Sequence, residues 1–297
     1  MPRLYLLLCV FTLTLSQTTP DIEQSFFGRC EYFKEFGYAQ PMPVVCSTAW
    51  NPFFGAFAHK DPCNVTMANY ASFFNVTGQV PPRDMTMLWS GTQDLKSIFC
   101  MDGINCYDNS QFMPSYVVGE MNWCGSTSDP SGMNFTGCKS YDPVTCPNHV
   151  TYSFWAAASE QLALRSTGRV RLLLNGTRTT GDAYSRNSFF AKFELPNLNP
   201  NAVTLVEAIV ALTPGQTAKE TCNNGSLVTL RTDVTNRGLN YQCTMNPPLV
   251  RHASCGFYAR QPASCNFRNP LDAKKPTTKH RRPAAYDRIY MQQDDSI

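Results

Sequence analysis

The stretch Asn187-Ser-Phe-Phe-Ala-Lys-Phe-Glu194-Leu-Pro-Asn-Leu198 places one carboxylate after a run of aromatic residues and directly before a turn. We predict a strand over residues 188–195 that carries Glu194 at its end. Burying a lone acid is costly unless the carboxylate is paired, hydrogen-bonded or used in chemistry, because desolvation penalises its charged form. The run alone therefore leaves two interpretations of Glu194: a functional acid, or a strand-end carboxylate that caps the turn.

The first 19 residues have the pattern of a cleaved secretory signal. Arg3 is followed by an apolar run from Leu4 to Leu15 and by a polar exit that reaches Thr19. The run is too short to span a bilayer, and no stop-transfer pattern follows it. A buried N-terminal helix fits less well, because the run is apolar on every side rather than along one face.

Cysteine usage and glycosylation sequons indicate an oxidising compartment. Of the 13 cysteines, Cys9 falls in the signal, which leaves an even number for disulfides. We expect a secreted or lumenal protein, in the secretory pathway, vesicles or granules. Asn-X-Ser/Thr sequons indicate a glycosylated surface; their acceptors are Asn64, Asn75, Asn134, Asn175 and Asn224.

The charge balance gives no indication of a nucleic-acid partner. The net charge is only +3, and much of the basic excess lies in the tail over residues 271–297. We predict a disordered, solvated tail, with a handle for a polyanion or for sorting as the alternative. Beyond the signal we find no apolar span and no GPI-type tail, so we expect no membrane anchor and a soluble mature product.

Periodicity separates a helical part of the chain from a part that mixes strands and helices. Residues 21–83 are mostly helical, since aromatic residues recur at three- and four-residue spacing. Residues 85–90 predict a buried strand, and residues 100–146 a loop-rich segment stiffened by cysteines. Further on we predict helices over 150–164 and 227–236 and strands over 168–175, 188–195, 202–212 and 238–243. This alternation indicates an α/β or α+β fold with a small parallel or mixed sheet.

A chain of this length buries a full core, and we expect it to form two domains. A Gly-rich phosphate loop does not occur in the sequence. The 4 histidines are scattered, so the cysteines and histidines do not have zinc spacing and we predict no metal site.

A family resemblance rests on six short segments: Phe27-Gly-Arg-Cys30, Asp61-Pro-Cys63, Leu88-Trp-Ser-Gly91, Trp123-Cys-Gly125, Ser153-Phe-Trp155 and Ser188 to Leu198. Together they resemble the ADP-ribosyl cyclases, a family that includes soluble invertebrate cyclases and vertebrate surface NAD glycohydrolases. The likeness runs from about Phe27 to Cys265, and the last segment is most similar to the soluble invertebrate members.

The resemblance implies a bilobal, disulfide-rich fold. A mostly helical N-terminal lobe would face a C-terminal lobe with a small parallel sheet flanked by helices, and the active-site cleft would lie between them. We expect residues 20–82 and 108–152 in the helical lobe. Residues 83–107 and 153–270 would then form the lobe that contains the sheet.

The resemblance also assigns the residues that act on NAD. Glu194 matches the catalytic glutamate of the family. Trp89 and Trp155 match two cleft tryptophans that position the nicotinamide end of NAD, and Ser90 follows Trp89 in the same motif. Both tryptophans have core packing as the alternative.

Two further positions match the family's cleft. Ser159, one helical turn beyond Trp155, matches a serine near the reacting ribose, with an ordinary helix serine as the alternative. Phe189 matches an aromatic position that helps fold the adenine back toward the ribose in the soluble cyclases. Core filler is the alternative for Phe189.

The chemistry requires these residue types. Nicotinamide leaves as a neutral pyridine, so the difficult species is the oxocarbenium-like ribose, which a fixed carboxylate in a dry cleft stabilises. Aromatic faces attract the cationic pyridinium ring by about 0.5–2 kcal/mol each. Water then gives ADP-ribose, the adenine N1 of the same molecule gives cyclic ADP-ribose, and another pyridine gives base exchange.

One segment departs from the family pattern. Where relatives show a Thr-Leu-Glu-Asp-Thr run, this chain reads Asn109-Ser-Gln-Phe-Met113, with Ser110 in place of a second acidic cleft residue. Gly119 replaces another polar or acidic residue, and Glu120 stands one place later as a partial substitute. The resemblance therefore leaves the ratio of cyclic to linear product open.

The compatible order of cysteines implies a disulfide pattern, although sequence alone does not fix connectivity. Cys100 and Cys106 look like an addition peculiar to this branch, and we expect them to pair locally. The remaining pairs that the resemblance implies are Cys30–Cys46, Cys63–Cys146, Cys124–Cys138, Cys222–Cys243 and Cys255–Cys265.

Two function hypotheses follow. The first is an enzyme that cleaves the nicotinamide–ribose bond of NAD, with cyclase activity favoured over pure hydrolysis; NAD is then the substrate, no cofactor is expected, and NADP use and a homodimer stay open. The second is a catalytically silent secreted glycoprotein that binds a partner or nucleotide through the inherited cleft. Retention of Glu194, Trp89 and Trp155 argues against the second, and Ser110 argues mildly for it.

Overall fold

The computed structural model describes residues 22–37, 44–100, 105–134, 137–257 and residue 265. The expected signal at residues 1–19 and the basic tail at 271–297 lie outside this part of the chain, so both stay predictions. Within it, no helix combines the length and the apolar character that a membrane crossing requires.

The chain combines helices and strands, as the fold-class prediction required. The helices are α1 Ile22–Phe36, α2 Cys46–Phe57, α3 Ala71–Thr77, α4 Gln93–Cys100, α5 Met113–Val118, α6 Val150–Arg165, α7 Ser226–Thr235 and α8 Pro248–Phe257. The strands are β1 Met87–Ser90, β2 Cys124–Gly125, β3 Met133–Asn134, β4 Gly168–Asn175, β5 Val203–Ala211 and β6 Tyr241–Met245.

The helices near the N-terminus pack through aromatic side chains. Phe26 on α1 and Phe53 on α2 stack with ring centroids 5.4 Å apart, and Phe53 also contacts Phe154 of α6 at 6.3 Å. All three rings are fully buried. Ring pairs of this kind add to the apolar burial that drives the packing, and they join the N-terminal helices to the long helix α6.

A four-stranded parallel sheet forms the other part of the molecule. Its strand order is β1-β4-β5-β6, and each neighbouring pair is parallel. The central strands β4 and β5 are largely buried, which explains their nearly continuous apolar sequences. The prediction of a small sheet is confirmed, and the mixed alternative is wrong.

Most predicted elements are found with shifted ends. The predicted helices at 150–164 and 227–236 correspond to α6 and α7, and the predicted strands at 168–175 and 202–212 to β4 and β5. The last strand begins at Tyr241, three residues later than predicted. The cysteine-rich segment also contains the short helix α5, which the loop prediction missed. The boundaries of the two lobes stay a prediction.

The predicted strand over residues 188–195 is wrong. Phe190–Glu194 forms one turn of π-helix, and Leu195–Asn197 continues it as a 3₁₀ turn. The physical reason is in the spacing: Phe190 and Glu194, four residues apart, are both buried on one helical face. The run also lacks the period-two alternation that a strand with one buried face shows.

The disulfide prediction is confirmed in full. The bonds join Cys30–Cys46, Cys63–Cys146, Cys100–Cys106, Cys124–Cys138, Cys222–Cys243 and Cys255–Cys265. Glycosylation stays a prediction. Of its acceptors, Asn64, Asn75 and Asn224 are exposed, whereas Asn134 and Asn175 are half-buried.

We predict that removing Cys63–Cys146 destabilises the protein far more than removing Cys100–Cys106. The first bond closes a separation of 83 residues and the second a separation of 6. In the chain-entropy model the losses are about 4–5 and about 2 kcal/mol, because the longer loop restricts the unfolded chain more. Denaturant unfolding of the two paired Cys→Ser variants measures the difference. Equal losses would show that native packing, rather than loop length, sets their contributions.

Candidate active site

The side chain of Glu194 is buried in the structure. Its residue is 5% exposed, and its carboxylate accepts a hydrogen bond from the Ser159 hydroxyl. One of the two oxygens, Oε2, is buried without a geometrically defined hydrogen-bond partner among the described residues. Burial raises the pKa of Glu194 from 4.5 to about 8, and the bond from Ser159 opposes this shift. A buried carboxylate with one unused oxygen is poised to interact with a ligand.

The π-helix that holds Glu194 is capped at both ends by side chains. The Ser188 hydroxyl accepts a hydrogen bond from the Ala191 N–H at 3.3 Å. At the other end, the Asn197 side-chain amide donates to the Phe193 carbonyl at 2.8 Å. Single π-turns are rare and frequent at functional sites. Here the turn directs Glu194 inward while Phe189 and Phe193 stay half-buried.

Helix α6 packs against this turn and supplies two of the predicted residues. Ser159 is buried and contacts Glu194 directly. Trp155 lies four residues earlier, which places it on the same helix face one turn away. Its ring is half-buried and rests edge-to-face on Phe154, with centroids 5.2 Å apart. Trp155 and Ser159 therefore share the face of α6 that packs against Glu194.

Strand β1 brings Trp89 to the same region. Trp89 and Ser90 are the last two residues of β1 and are both half-buried, at the carboxyl edge of the sheet where ligands of open α/β sheets bind. The strand contacts the π-helix directly. Gly91, with φ of 65°, then turns the chain sharply into α4.

An aromatic cluster, which sequence reasoning missed apart from Phe189, adjoins the acid. Tyr152 lies edge-to-face against Phe189 at 5.3 Å and against Phe193 at 6.0 Å. Tyr141 stacks on Tyr152 at 4.2 Å. Tyr152 precedes Trp155 by three residues on α6, so helical spacing from the predicted tryptophan was the available signal.

Ser110 lies in the loop before α5, and Glu120 lies just after that helix. Ser110 is half-buried; its backbone N–H donates to Asp108 Oδ1 at 2.5 Å and its hydroxyl accepts from Gln111 Nε2 at 2.7 Å. Glu120 follows α5 in a left-handed conformation, with φ of 61°. The bonds of Ser110 are local to its own loop, so a cleft role for either residue stays a prediction.

A buried ion pair beside Trp89 was also missed. Lys96 Nζ lies 2.9 Å from Asp108 Oδ2 and 5.7 Å from the centroid of the Trp89 ring. Because helix α4 was not predicted, the burial of the Lys96 side chain was not predicted either. Its spacing of four residues from Cys100 was the signal that could have placed it.

Across the described ranges no three His, Cys, Asp or Glu side chains come together as a metal site. The arrangement combines a buried carboxylate, aromatic faces and a hydroxyl. These groups suit a cationic ligand whose reaction develops positive charge on a sugar.

Comparison with known proteins gives concordant results. The family profile described as ADP-ribosyl cyclase matches residues 19–265. An ADP-ribosyl cyclase/cyclic ADP-ribose hydrolase of Aplysia kurodai is 35% identical over 240 residues, which cover 80% of this chain and 84% of that protein. ADP-ribosyl cyclase/cyclic ADP-ribose hydrolase 2 of Homo sapiens is 28% identical over 269 residues, 91% of this chain and 81% of its own.

Solved structures show the same likeness. The crystal structure of Aplysia cyclase with substrate NGD and product cGDPR superimposes with a TM-score of 0.75 and 33% identity. The match covers 80% of this chain and 94% of that one.

Proposed function

Because this chain belongs to the ADP-ribosyl cyclase family, it is an enzyme that cleaves the nicotinamide–ribose bond of NAD, and we propose Glu194 as its catalytic carboxylate. The observation that carries the proposal is the buried, unpartnered Oε2 atom of Glu194. It lies on a π-helix that contacts both α6 and β1, the elements that bear Trp155 and Trp89.

Glu194 supplies negative charge where positive charge develops. As the bond to nicotinamide breaks, the ribose becomes oxocarbenium-like, and a carboxylate in a water-poor site stabilises that charge far more than it would in bulk water. Oε2 has no hydrogen-bond partner among the described residues, and the Ser159 hydroxyl donates to the carboxylate, so the group keeps unused acceptor capacity for the ribose. Glu194 does not have to act as a general acid, because nicotinamide leaves as a neutral base.

Trp89 and Trp155 are the proposed nicotinamide platform. Both indole rings are half-buried, so each retains an open surface next to the elements that hold Glu194. The pyridinium of NAD is attracted to such faces by cation–π interaction, and the attraction weakens once the ring leaves uncharged. Ser90 follows Trp89 on β1, and Phe189, which packs against Tyr152, is the proposed contact for the adenine.

The test is a product analysis of the purified protein with NAD. We expect nicotinamide release together with cyclic ADP-ribose and ADP-ribose, resolved by chromatography. A guanine analogue of NAD gives a fluorescent cyclic product and reports the cyclase share. If a folded preparation releases no nicotinamide, the hypothesis of a catalytically silent glycoprotein that binds a ligand through the cleft is favoured instead.

Compartment, anchoring and assembly are further parts of the proposal. The six disulfides support a secreted or lumenal protein, because such bonds persist in oxidising compartments. We propose NAD, with NADP as the alternative substrate, and no nucleic-acid partner, membrane anchor or resident cofactor. A homodimer stays open.

We predict that Ser110→Glu shifts the ratio of cyclic to linear product. The substitution places an acid where relatives carry one, next to a site whose intermediate is a cation, and so changes how the intermediate partitions between adenine and water. The measurement is the product ratio from NAD in the purified variant, with Ser110→Gln as the uncharged control of equal size. An unchanged ratio in Ser110→Glu would remove this position from the site.

A further inference from the structure

The ion pair between Lys96 and Asp108 has no part in the mechanism above. Their side chains are only 6% and 1% exposed, and the ammonium lies over the ring of Trp89. Burying two charges usually costs more free energy than their mutual attraction returns. A buried pair placed against a substrate-binding side chain therefore indicates a functional role.

The local sequence builds this pair next to a disulfide. Lys96 and Cys100 are four residues apart on α4, so they share a helix face. Cys106 and Asp108 are two residues apart in a segment that runs alongside β1, where the backbone of Tyr107 makes hydrogen bonds of 2.8 Å in both directions. Alternate residues of an extended segment point to the same side. The disulfide and the ion pair are therefore successive cross-links between the same two segments.

Asp108 also holds the loop that carries Ser110. Its Oδ1 accepts the Ser110 N–H at 2.5 Å, while its Oδ2 faces Lys96. The carboxylate therefore balances the ammonium beside Trp89 and fixes the loop at the same time.

We propose that Lys96 and Asp108 are positioning residues that set the electrostatic potential at the Trp89 ring. The pair thereby determines how strongly the cleft prefers the cationic pyridinium of NAD over the uncharged dihydropyridine of NADH. The inference rests on the proposed function, in which Trp89 binds the nicotinamide end. A lysine beside that ring repels a second cation unless Asp108 neutralises it.

The experiment compares equilibrium binding of NAD and NADH by calorimetry in a Glu194→Gln background, which prevents turnover. We expect Asp108→Asn to weaken NAD relative to NADH and Lys96→Met to strengthen it. Each shift should be about twentyfold, the effect of an unpaired charge roughly 9 Å from the pyridinium at an effective dielectric constant near 20. The Lys96→Met/Asp108→Asn double variant removes both charges and should restore the original preference.

A purely structural role would loosen Trp89 and weaken both ligands equally, so the NAD-to-NADH ratio is the decisive readout. Single variants that shift this ratio in the same direction, or leave it unchanged, overturn the proposal. If these single variants do not fold, Lys96→Gln and Asp108→Ser remove the same charges while keeping polar side chains, and opposite shifts of the ratio are again required.

Glu207→Gln provides the matched control. Glu207 pairs with Arg169 at 3.4 Å on the sheet, away from Trp89, so its loss should not alter the ratio. Failure of the proposed function would appear separately, as no nicotinamide release by the unmodified protein.

Discussion

Glu194→Gln is expected to lower the rate of nicotinamide release from NAD about 10³-fold while the protein stays folded. Losing one preorganised electrostatic contact to a developing charge costs about 10²–10³ in rate, and here the lost group carries the full counter-charge. The amide keeps the size of the side chain and its contact with Ser159. We therefore expect kcat to fall far more than the affinity for NAD, which loses only the attraction between the carboxylate and the bound pyridinium.

The control for this variant is Glu35→Gln, which makes the same chemical change at an exposed position of α1. It should retain full activity. Nicotinamide release measured by chromatography, beside a thermal unfolding curve for each variant, separates lost chemistry from lost structure. A folded Glu194→Gln protein with near-normal turnover would mean that another group stabilises the ribose cation.

Local apolar pattern was enough to predict the fold class and the strands of the sheet, and the family resemblance implied every disulfide. It misjudged the segment around Glu194 for a physical reason. Aromatic residues at 189, 190 and 193 suit a strand by propensity, whereas their spacing suits a helix turn. In the structure, packing against α6 and the Ser188 and Asn197 bonds decide in favour of the turn.

The remaining site features depend on contacts between distant residues, which a single sequence does not reveal. The resemblance pointed to both Trp155 and Ser159, and their four-residue spacing places them on one face of a predicted helix. The ion pair of Lys96 with Asp108 joins two segments on either side of a disulfide, and Tyr141 reaches Tyr152 from a loop. Such pairs become visible only when tertiary structure brings their elements together.

The second large effect is on pH dependence, and it follows from the raised pKa of Glu194. Burial raises this pKa from 4.5 to about 8, and only the ionised form stabilises the ribose cation. We therefore expect kcat/KM for NAD to fall about tenfold per pH unit below pH 8, since this parameter reports the ionisation of the free enzyme. The fall in kcat should begin at a lower pH than the fall in kcat/KM. The positive charge of the bound pyridinium stabilises the ionised carboxylate and so lowers its pKa.

The raised pKa of Glu194 also makes the stability of the fold depend on pH. The folded pKa of Glu194 lies above the unfolded one, so the group stabilises the fold fully below pH 4.5 and loses this contribution as the pH rises to about 8. Glu194→Gln removes the titration. Its stability relative to the original protein should therefore rise by about 1.4 kcal/mol per pH unit across this window and level off above it.

Denaturant unfolding of both proteins at several pH values measures this difference. The constant cost of exchanging carboxyl for amide cancels in the slope, so only the titration of residue 194 remains. A flat difference between pH 4.5 and 8 would show that Glu194 ionises normally in the fold. The kinetic profile would then need another titrating group, because one carboxylate cannot have a raised pKa in catalysis and an ordinary one in folding.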